Sequence, residues 1–447
     1  KFDKPTHKVT QMMQDNMHIW PQAIKMMNEY AGWDKHYKAH KWSYGCHSKF
    51  INPPLLTAFG NRPGPQKQCV YKDKVSAIYK SVGGKKLEQM EWAMKELEKY
   101  VDDIINEREV EPPPCYYKIV IKSEIHLATG KKMEELLESL KKVSMKAREY
   151  FIPDLFTILL SMLMHGERSK FERGHLIRIG INWNHGGSMF FAQDFKYLNK
   201  RMVYFTCDVT GLDTCINHVQ LRLDNMATNQ YYYFDEQESA RLFKELLREC
   251  GERMAIKITQ IFGDMWRVFI GSMPSGAFRT SNGNSWIISS TFFAQFAHLL
   301  ATDIEFRNVF WKLYKNGEVI LSVYGDDNVA AWHEDLLPWL NEITVPAFFL
   351  RWANFTCRDV RIHRDFLSVL DGRGNLKVDN VCFLQKYFVN LPQSFISPGV
   401  GGVVHFRPLT TNVRKYGKGS SGDQKTNMDY LLSAVSGPYD NPCNVQW

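Results

Sequence analysis

The 447-residue chain is 44% hydrophobic, 13% aromatic and 23% charged, which excludes a disordered or collagen-like protein and leaves ample apolar material for a large core. Its 56 Lys and Arg against 48 Asp and Glu give a formal charge of +8, a surplus that suits a polyanionic partner without naming one. Length alone predicts about three domains. No apolar run reaches the roughly 18 residues of a membrane span, because Phe156 to Met164 stops at His165-Gly166-Glu167.

The opening Lys1-Phe2-Asp3-Lys4-Pro5 does not read as a signal peptide; the start is either an artificial boundary or a cut from a longer precursor. The first eighty or so residues mix aromatics, His, Pro and Gly without a sustained period, so irregular structure with short helices is expected. Within them His36, His40, Cys46 and His47 lie close enough in sequence for zinc. No second CxxC-type pair accompanies them, and Tyr37, Trp42 and Tyr44 make a packed aromatic segment the competing reading. The nine cysteines are odd in number and scattered, which predicts reduced thiols.

Ser81-Val82-Gly83-Gly84 breaks the chain. Leu87, Met90, Met94, Leu97, Val101 and Ile104 then form a helical stripe over 87–106, stopped by Pro112-Pro113-Pro114. Residues 118–122 read as a strand and 133–145 as an amphipathic helix. Met202 to Phe205 is a short β-rich run leading to Asp208. A long helix is expected over 236–252, a loop over 271–276 and a buried helix over 285–300. Val319 to Tyr324 and Val329 to Trp332 read as two strands of a hairpin with Asp326 and Asp327 at its tip. Gly-rich punctuation follows at 399–402 and 417–422, with a helix at 425–435.

Three segments carry chemistry. Burying Asp326 and Asp327 beside an apolar strand costs several kcal/mol each unless cations compensate. Asp208, at a strand's carboxyl end, can meet that pair if the strands are neighbours, giving three carboxylates of the kind that hard Mg²⁺ prefers. Between them lie the loop Gly271-Ser272-Met273-Pro274-Ser275-Gly276 and then Thr280 and Asn284, spaced i, i+4 on one helix face. A Gly/Ser/Pro loop before a helix lets backbone approach a template or a ribose closely.

The order Asp208-x4-Asp213, then Met273-Pro274-Ser275-Gly276 with Thr280 and Asn284, then Tyr324-Gly325-Asp326-Asp327-Asn328 resembles palm motifs A, B and C of the RNA-dependent RNA polymerases of positive-strand RNA viruses, most closely the picorna-like group. Phe383-Leu384-Gln385-Lys386 resembles that family's motif E, the primer grip, with Gln385 where a basic residue is usual, so that backbone contact would rest on Lys386 beside Leu384. The resemblance implies that Asp208, Asp326 and Asp327 hold two Mg²⁺ ions, with Mn²⁺ able to substitute. It implies that Asp213, Ser275, Gly276, Thr280 and Asn284 surround the incoming ribose. For motif F, which clamps the triphosphate, Lys122-Ser123-Glu124 resembles the opening, while Arg173 and Arg178 resemble the close. Ser81 and Gly83 resemble the template-guiding motif G, a tight turn being the other reading. Motif D usually supplies a lysine, but 352–364 holds only Arg358, Arg361, His363 and Arg364, and that role stays unassigned.

The implied fold is α+β, a right-hand polymerase with a palm of antiparallel sheet and helices, fingers and a helical thumb. The expected division is fingers with an N-terminal extension over 1–200, palm over 201–389 with a fingers insertion between motifs A and B, and thumb over 390–447. The implied partners are an RNA template, nascent RNA, ribonucleoside triphosphates and other viral replication proteins, at a replication complex in the host cytoplasm. Two other readings are a reverse transcriptase and a catalytically silent palm-derived RNA-binding protein. Reverse transcriptases resemble the chain less, since they place an aromatic gate where Asp213 stands. All three carboxylates are present, so the sequence offers no motive for lost catalysis.

Overall fold

The computed structural model describes residues 9–48, 85–109, 111–122, 134, 148–181, 183, 186–262, 265–371, 376–391 and 402–406. The expected helices over 133–145 and 425–435, the Ser81 and Gly83 turn, the Gly-rich 417–422 and the helical part of the thumb lie outside them. No helix among the described residues is long and apolar enough to cross a membrane.

In chain order the helices and strands that build the site begin with α1 (Trp20–Ala31), α2 (Lys85–Ile105), β1 (Tyr116–Lys122), β2 (Arg148–Pro153), α3 (Leu155–His165) and α4 (Gly187–Asp194). Then come β3 (Met202–Val209), α5 (His218–Ala227), α6 (Gln237–Ala255), β4 (Ile256–Phe262), β5 (Met265–Ile270), α7 (Thr280–Thr302) and α8 (Ile304–Lys315). The hairpin β6 (Val319–Tyr324) and β7 (Asp327–His333) is followed by α9 (Thr344–Ala353), β8 (Cys357–His363), β9 (Cys382–Phe383), β10 (Lys386–Leu391) and β11 (Gly402–Phe406).

The central sheet runs β8-β3-β7-β6, antiparallel throughout. Strand side chains alternate between faces, and along β3, β6 and β7 both faces are largely buried. Val203, Phe205, Leu321, Val323, Ala330 and Trp332 enter one core with α1, α7 and α9. Tyr204, Ile320, Val329 and Ala331 enter another with Phe191, Phe195, Phe366, Phe383 and Phe388. That is why β6 reads as an almost unbroken apolar run. The same alternation puts Asp208 and Asp327 on the second face, at the end where that core stops. A second sheet, β2-β1-β4-β5, is mixed, with β1 parallel to β4.

The described part of the N-terminal segment holds short helices, as expected from composition, and the longest of them is α1. Trp20, Ala23, Met26 and Met27 are buried along α1, which starts with Pro21 and ends at Gly32 in the left-handed region (φ 69°). This helix packs on α7 and shares the core of the central sheet, so residues 20–31 of the expected N-terminal unit are packed against that sheet. Helix α7 is buried nearly all round. Its Ser285, Ser289, Ser290 and Thr291 hydroxyls donate to carbonyls three or four residues back, which satisfies them without leaving the helix.

Four charged side chains lock α7 to its neighbours. Arg279 donates from Nε to Asp224 Oδ2 (3.2 Å), and its terminal nitrogens reach Asp224 Oδ1 (2.6 Å), Glu172 Oε1 (3.0 Å), Glu172 Oε2 and Ser169 Oγ (3.3 Å). All five guanidinium donors are thereby used. Arg168 binds the same two acids, at 2.7 Å to Glu172 and 2.8 Å to Asp224. Every member is at least 96% buried. Burial by itself would raise the Asp224 carboxyl, but Arg279 and Arg168 together hold it well below the usual carboxylate range. Gly283 lets α7 come this close, since a Cβ there would meet Met273 at 2.7 Å and Asp224 at 3.2 Å.

Asp224→Asn leaves two buried guanidiniums facing one carboxylate. It should destabilise the fold by about 3–5 kcal/mol, read as a shift in urea midpoint at unchanged slope. Asp235→Asn, which breaks the exposed pair with Lys41, should leave that midpoint unmoved.

Candidate active site

The expected meeting of the carboxylates follows from register. Asp208 on β3 is the direct cross-strand partner of Asp327 on β7, and on its other side it pairs with Arg358 on β8. Paired residues share a face, so Arg358, Asp208 and Asp327 form a row across three strands. Arg358 Nε donates to Asp208 Oδ2 at 2.7 Å, and a terminal nitrogen reaches the same oxygen. A register shift between Arg358 and Arg361, with Asp359 at φ 52°, bends β8 at this point. The carboxylate of Asp208 is turned to this guanidinium, and among the described residues no three His, Cys, Asp or Glu side chains are drawn together as a metal site.

Asp326 sits in the tight turn between β6 and β7, after Gly325 at φ 66°. Two contacts fix that turn. The Gly325 amide donates to Ser285 Oγ of α7 (2.8 Å). Buried Asn328 donates from Nδ2 to Cys207 O (3.0 Å) and Asp326 O (3.2 Å), stitching the turn to β3.

Asp213 is the centre of a second cluster. Its Oδ2 accepts from Ser275 Oγ (3.0 Å) and its Oδ1 from Asn284 Nδ2 (2.5 Å). Its carbonyl accepts from the Met273 amide (2.7 Å) and Ser272 Oγ (3.0 Å). Asn284 Oδ1 is buried with no protein partner, an acceptor that a ligand hydroxyl would satisfy. Gly276 is pressed against β2: its amide donates to Phe151 O (2.9 Å), and a Cβ would meet that oxygen at 3.0 Å and Ile152 Cα at 3.2 Å. Thr280 does not join the cluster. Its hydroxyl donates to Pro274 O (2.6 Å) and Ala277 O (2.8 Å), closing the loop onto the start of α7.

Other expected site residues lie elsewhere. Residues 173–177 close a turn on themselves, and residues 176–178 lie against the outer edge of β6 through a bridge from Ile177 to Val323. There Arg178 donates to Asp194 Oδ2 (2.6 Å) and Ser322 Oγ (3.1 Å) over the Phe191 ring, and Arg173 is exposed. Neither is brought to Asp213. Strand β2 instead runs from Arg148, in register with Lys122, to the backbone that holds Gly276. Leu384 and Gln385, at φ 53° and 60°, form the two-residue turn between β9 and β10. Lys386 follows, with Nζ 5.3 Å from the Trp183 ring centroid.

Of the four basic residues considered for motif D, only Arg358 touches the acid row. Arg361 pairs with Asp379 and Arg364 with Glu334. His363 pairs with Tyr204, about 13 Å along β3 from Asp208, and bonds Thr206 (3.1 Å). Burial, then nearby Arg361, pushes its pKa down. The three histidines named for zinc form a hydrogen-bonded chain with Glu167, while Cys46 is an exposed free thiol. His36 meets His40 (2.9 Å), and His40 and His47 meet Glu167 at 3.3 and 3.0 Å, with His36 and His40 stacked on Phe171. The described cysteines are free thiols, as expected.

A four-stranded antiparallel sheet thus carries acids on an inner strand and on a neighbouring hairpin turn, with a Gly/Ser loop and helix beside it. Residues 169–354 match the family model of viral RNA-dependent RNA polymerases, which bears out the resemblance read from the motifs. The family's activity is RNA-templated RNA synthesis in viral replication. No curated protein matches the chain.

Ser285→Ala removes the tether from α7 to Gly325. A neutral hydrogen bond of this kind contributes about 0.5–1.5 kcal/mol, so the melting temperature should fall by a few degrees at most. Nucleotide incorporation should fall much further, by about tenfold, as is expected when reacting groups lose alignment. Single-turnover rates with pre-bound RNA check this.

Proposed function

We propose that this chain is an RNA-directed RNA polymerase, a nucleotidyltransferase that copies an RNA template from ribonucleoside triphosphates. The observation that carries the reading is the register of Asp208 against Asp327, beside the turn holding Asp326. The donor set fits divalent cations: hard carboxylate oxygens on adjacent strands, with Asp208 already held against a positive charge, the guanidinium of Arg358. Asp208, Asp326 and Asp327 would hold two Mg²⁺ ions, or Mn²⁺ in their place, which when bound activate the primer 3′-hydroxyl and stabilise the leaving pyrophosphate.

The chain's own residues supply positioning and selection. Asp213, clasped by Ser275 and Asn284, presents a fixed carboxylate. The unpartnered Oδ1 of Asn284 is an acceptor for a ribose 2′-hydroxyl. A 2′-deoxyribose would leave that buried oxygen unsatisfied, which is how a polar pocket rejects the analogue lacking the group. Gly276 sets the loop against β2, and Thr280 closes it. Arg358 stays protonated, so its part is charge balance at Asp208. Lys386, next to Leu384 at the β9–β10 turn, is placed to meet the primer backbone. The fingers, palm and thumb division over 1–200, 201–389 and 390–447 belongs to the same reading, as do a template path at Ser81 and Gly83 and assembly with viral replication proteins in the host cytoplasm. RNA would be held through its backbone without sequence preference.

The test is extension of a labelled RNA primer–template with Mg²⁺, using ribo- and deoxynucleotides. Asp326→Ala should abolish extension while RNA affinity is retained; equal activity would sink the metal assignment. Asn284→Ala should lower the preference for ribonucleotides by at least about tenfold, the range expected for one buried hydrogen bond to substrate. Unchanged discrimination would remove that role. Preference for deoxynucleotides in the unmodified chain would move it to the reverse transcriptases.

A further inference from the structure

Lysine is rarely buried without an acid beside it, yet Lys257 on β4 is 0% exposed. Its Nζ donates to Met254 O (2.7 Å) and Gly271 O (2.6 Å) and lies 5.8 Å from the Tyr117 ring centroid. Among the described residues no carboxylate reaches it. The titratable groups that face it from β1 and its approach are Tyr117 and Cys115, and burial raises both, Cys115 to about 11, so neither carries charge near neutrality. From α6, Arg253 is paired with Glu249.

What this buried ammonium grips is the first residue of the ribose loop. Gly271 (φ 83°) and Ser272 (φ 67°) are consecutive left-handed residues, and for serine that conformation is strained. The pair is pinned where it enters and leaves. The Gly271 amide donates to Ala255 O (2.8 Å), and the Ser272 amide to Ile216 O (2.6 Å). Ser272 Oγ and the Met273 amide then hold the Asp213 carbonyl. Releasing Gly271 O would let the strained pair relax and carry Ser272 and Met273 off Asp213.

We propose that Lys257 is a positioning residue for ribose selection, holding the 271–276 loop so that Asp213 and Asn284 meet the 2′-hydroxyl. The proposal rests on the reading of Asp213 and Asn284 given above. Lys257 touches no substrate and acts only through the loop. The strain of Ser272 and the desolvation of Lys257 are then the stability cost of a pre-set pocket.

The experiment compares the full chain with Lys257→Met, Lys257→Gln and Asn284→Ala in ribo- against deoxynucleotide extension on one RNA primer–template. Methionine removes the donors, whereas glutamine keeps N–H groups on a shorter arm. Lys257→Met should lose ribonucleotide preference by about tenfold, the size of one lost hydrogen bond, and raise KM for ribonucleotides while RNA affinity holds. Lys257→Gln should fall between it and the unmodified chain. Thermal melts give a second readout. Burial holds the folded pKa at about 7, against roughly 10.4 for an unfolded lysine. Above pH 7 the unfolded state therefore binds more protons, and the native state gains stability as pH rises. The melting difference between the unmodified chain and Lys257→Met should accordingly move in favour of the unmodified chain from pH 6.5 to 9. Full preference in whichever variant folds, while Asn284→Ala relaxes it, overturns the proposal alone. Full preference in Asn284→Ala as well overturns the reading of the pocket, and the proposal with it. A melting difference that does not change with pH means that the folded pKa is not lowered, which overturns the desolvated placement of Lys257 and the proposal with it.

Discussion

Much of this site depends on four buried charges that cannot be present singly. Arg168, Glu172, Asp224 and Arg279 satisfy one another inside a core where any one alone would be strongly unfavourable. They come from the short helix 168–171 and its end, from α5, and from the residue before α7, so the interaction exists only when these segments are correctly docked. Once it forms, the start of α7 has one place to be. The loop 271–276, the clasp on Asp213 and the tether from Ser285 to Gly325 all hang from that start.

Beside this polar lock, the apolar logic is simple. The central sheet is largely buried on both faces along β3, β6 and β7, so these strands have little freedom of register: a one-residue slip would exchange every side chain between two different cores. Asp208 and Asp327 thus face each other because Tyr204 and Ala331 do, further along the same row. Acids brought together in this way need positive charge. In this structure Arg358 provides it at Asp208, from a strand bent at Asp359 for the purpose of contact across β3.

Much of the catalytic chemistry was legible in the residues. A Gly-Asp-Asp turn after an apolar strand, an acid at another strand's end and a Ser/Gly loop before a buried helix are local patterns, and local patterns survive without coordinates. The hairpin and helices α2, α6 and α7 appeared within a few residues of their expected limits. Two readings shifted for physical reasons. Thr280 shares the spacing of a ligand-facing residue with Asn284, but at the first turn of a helix its hydroxyl finds nearer carbonyls in the loop. Arg178 carries the residue type of a phosphate clamp, yet residues 176–178 lie against the edge of β6, where Asp194 and Ser322 take its donors. Helix α1 falls among the short helices expected of the first eighty residues, but its limits were not legible, because its buried stripe is only four residues long and opens beside Pro21.

The sequence by itself pointed to the class of chemistry, because carboxylates, a Gly/Ser loop and an amide-bearing helix face are properties of residue type and spacing. It also determined that the chain would bury a helix-and-sheet core. Tertiary structure alone decided which groups meet: Arg358 with Asp208, Lys257 with Gly271, and Arg279 with Glu172 and Asp224. Those pairs are separated by 150, 14, 107 and 55 residues, and no local pattern encodes them. They arise because a buried charge or carbonyl must find a partner within about 3 Å, and only the folded chain determines which partner stands there.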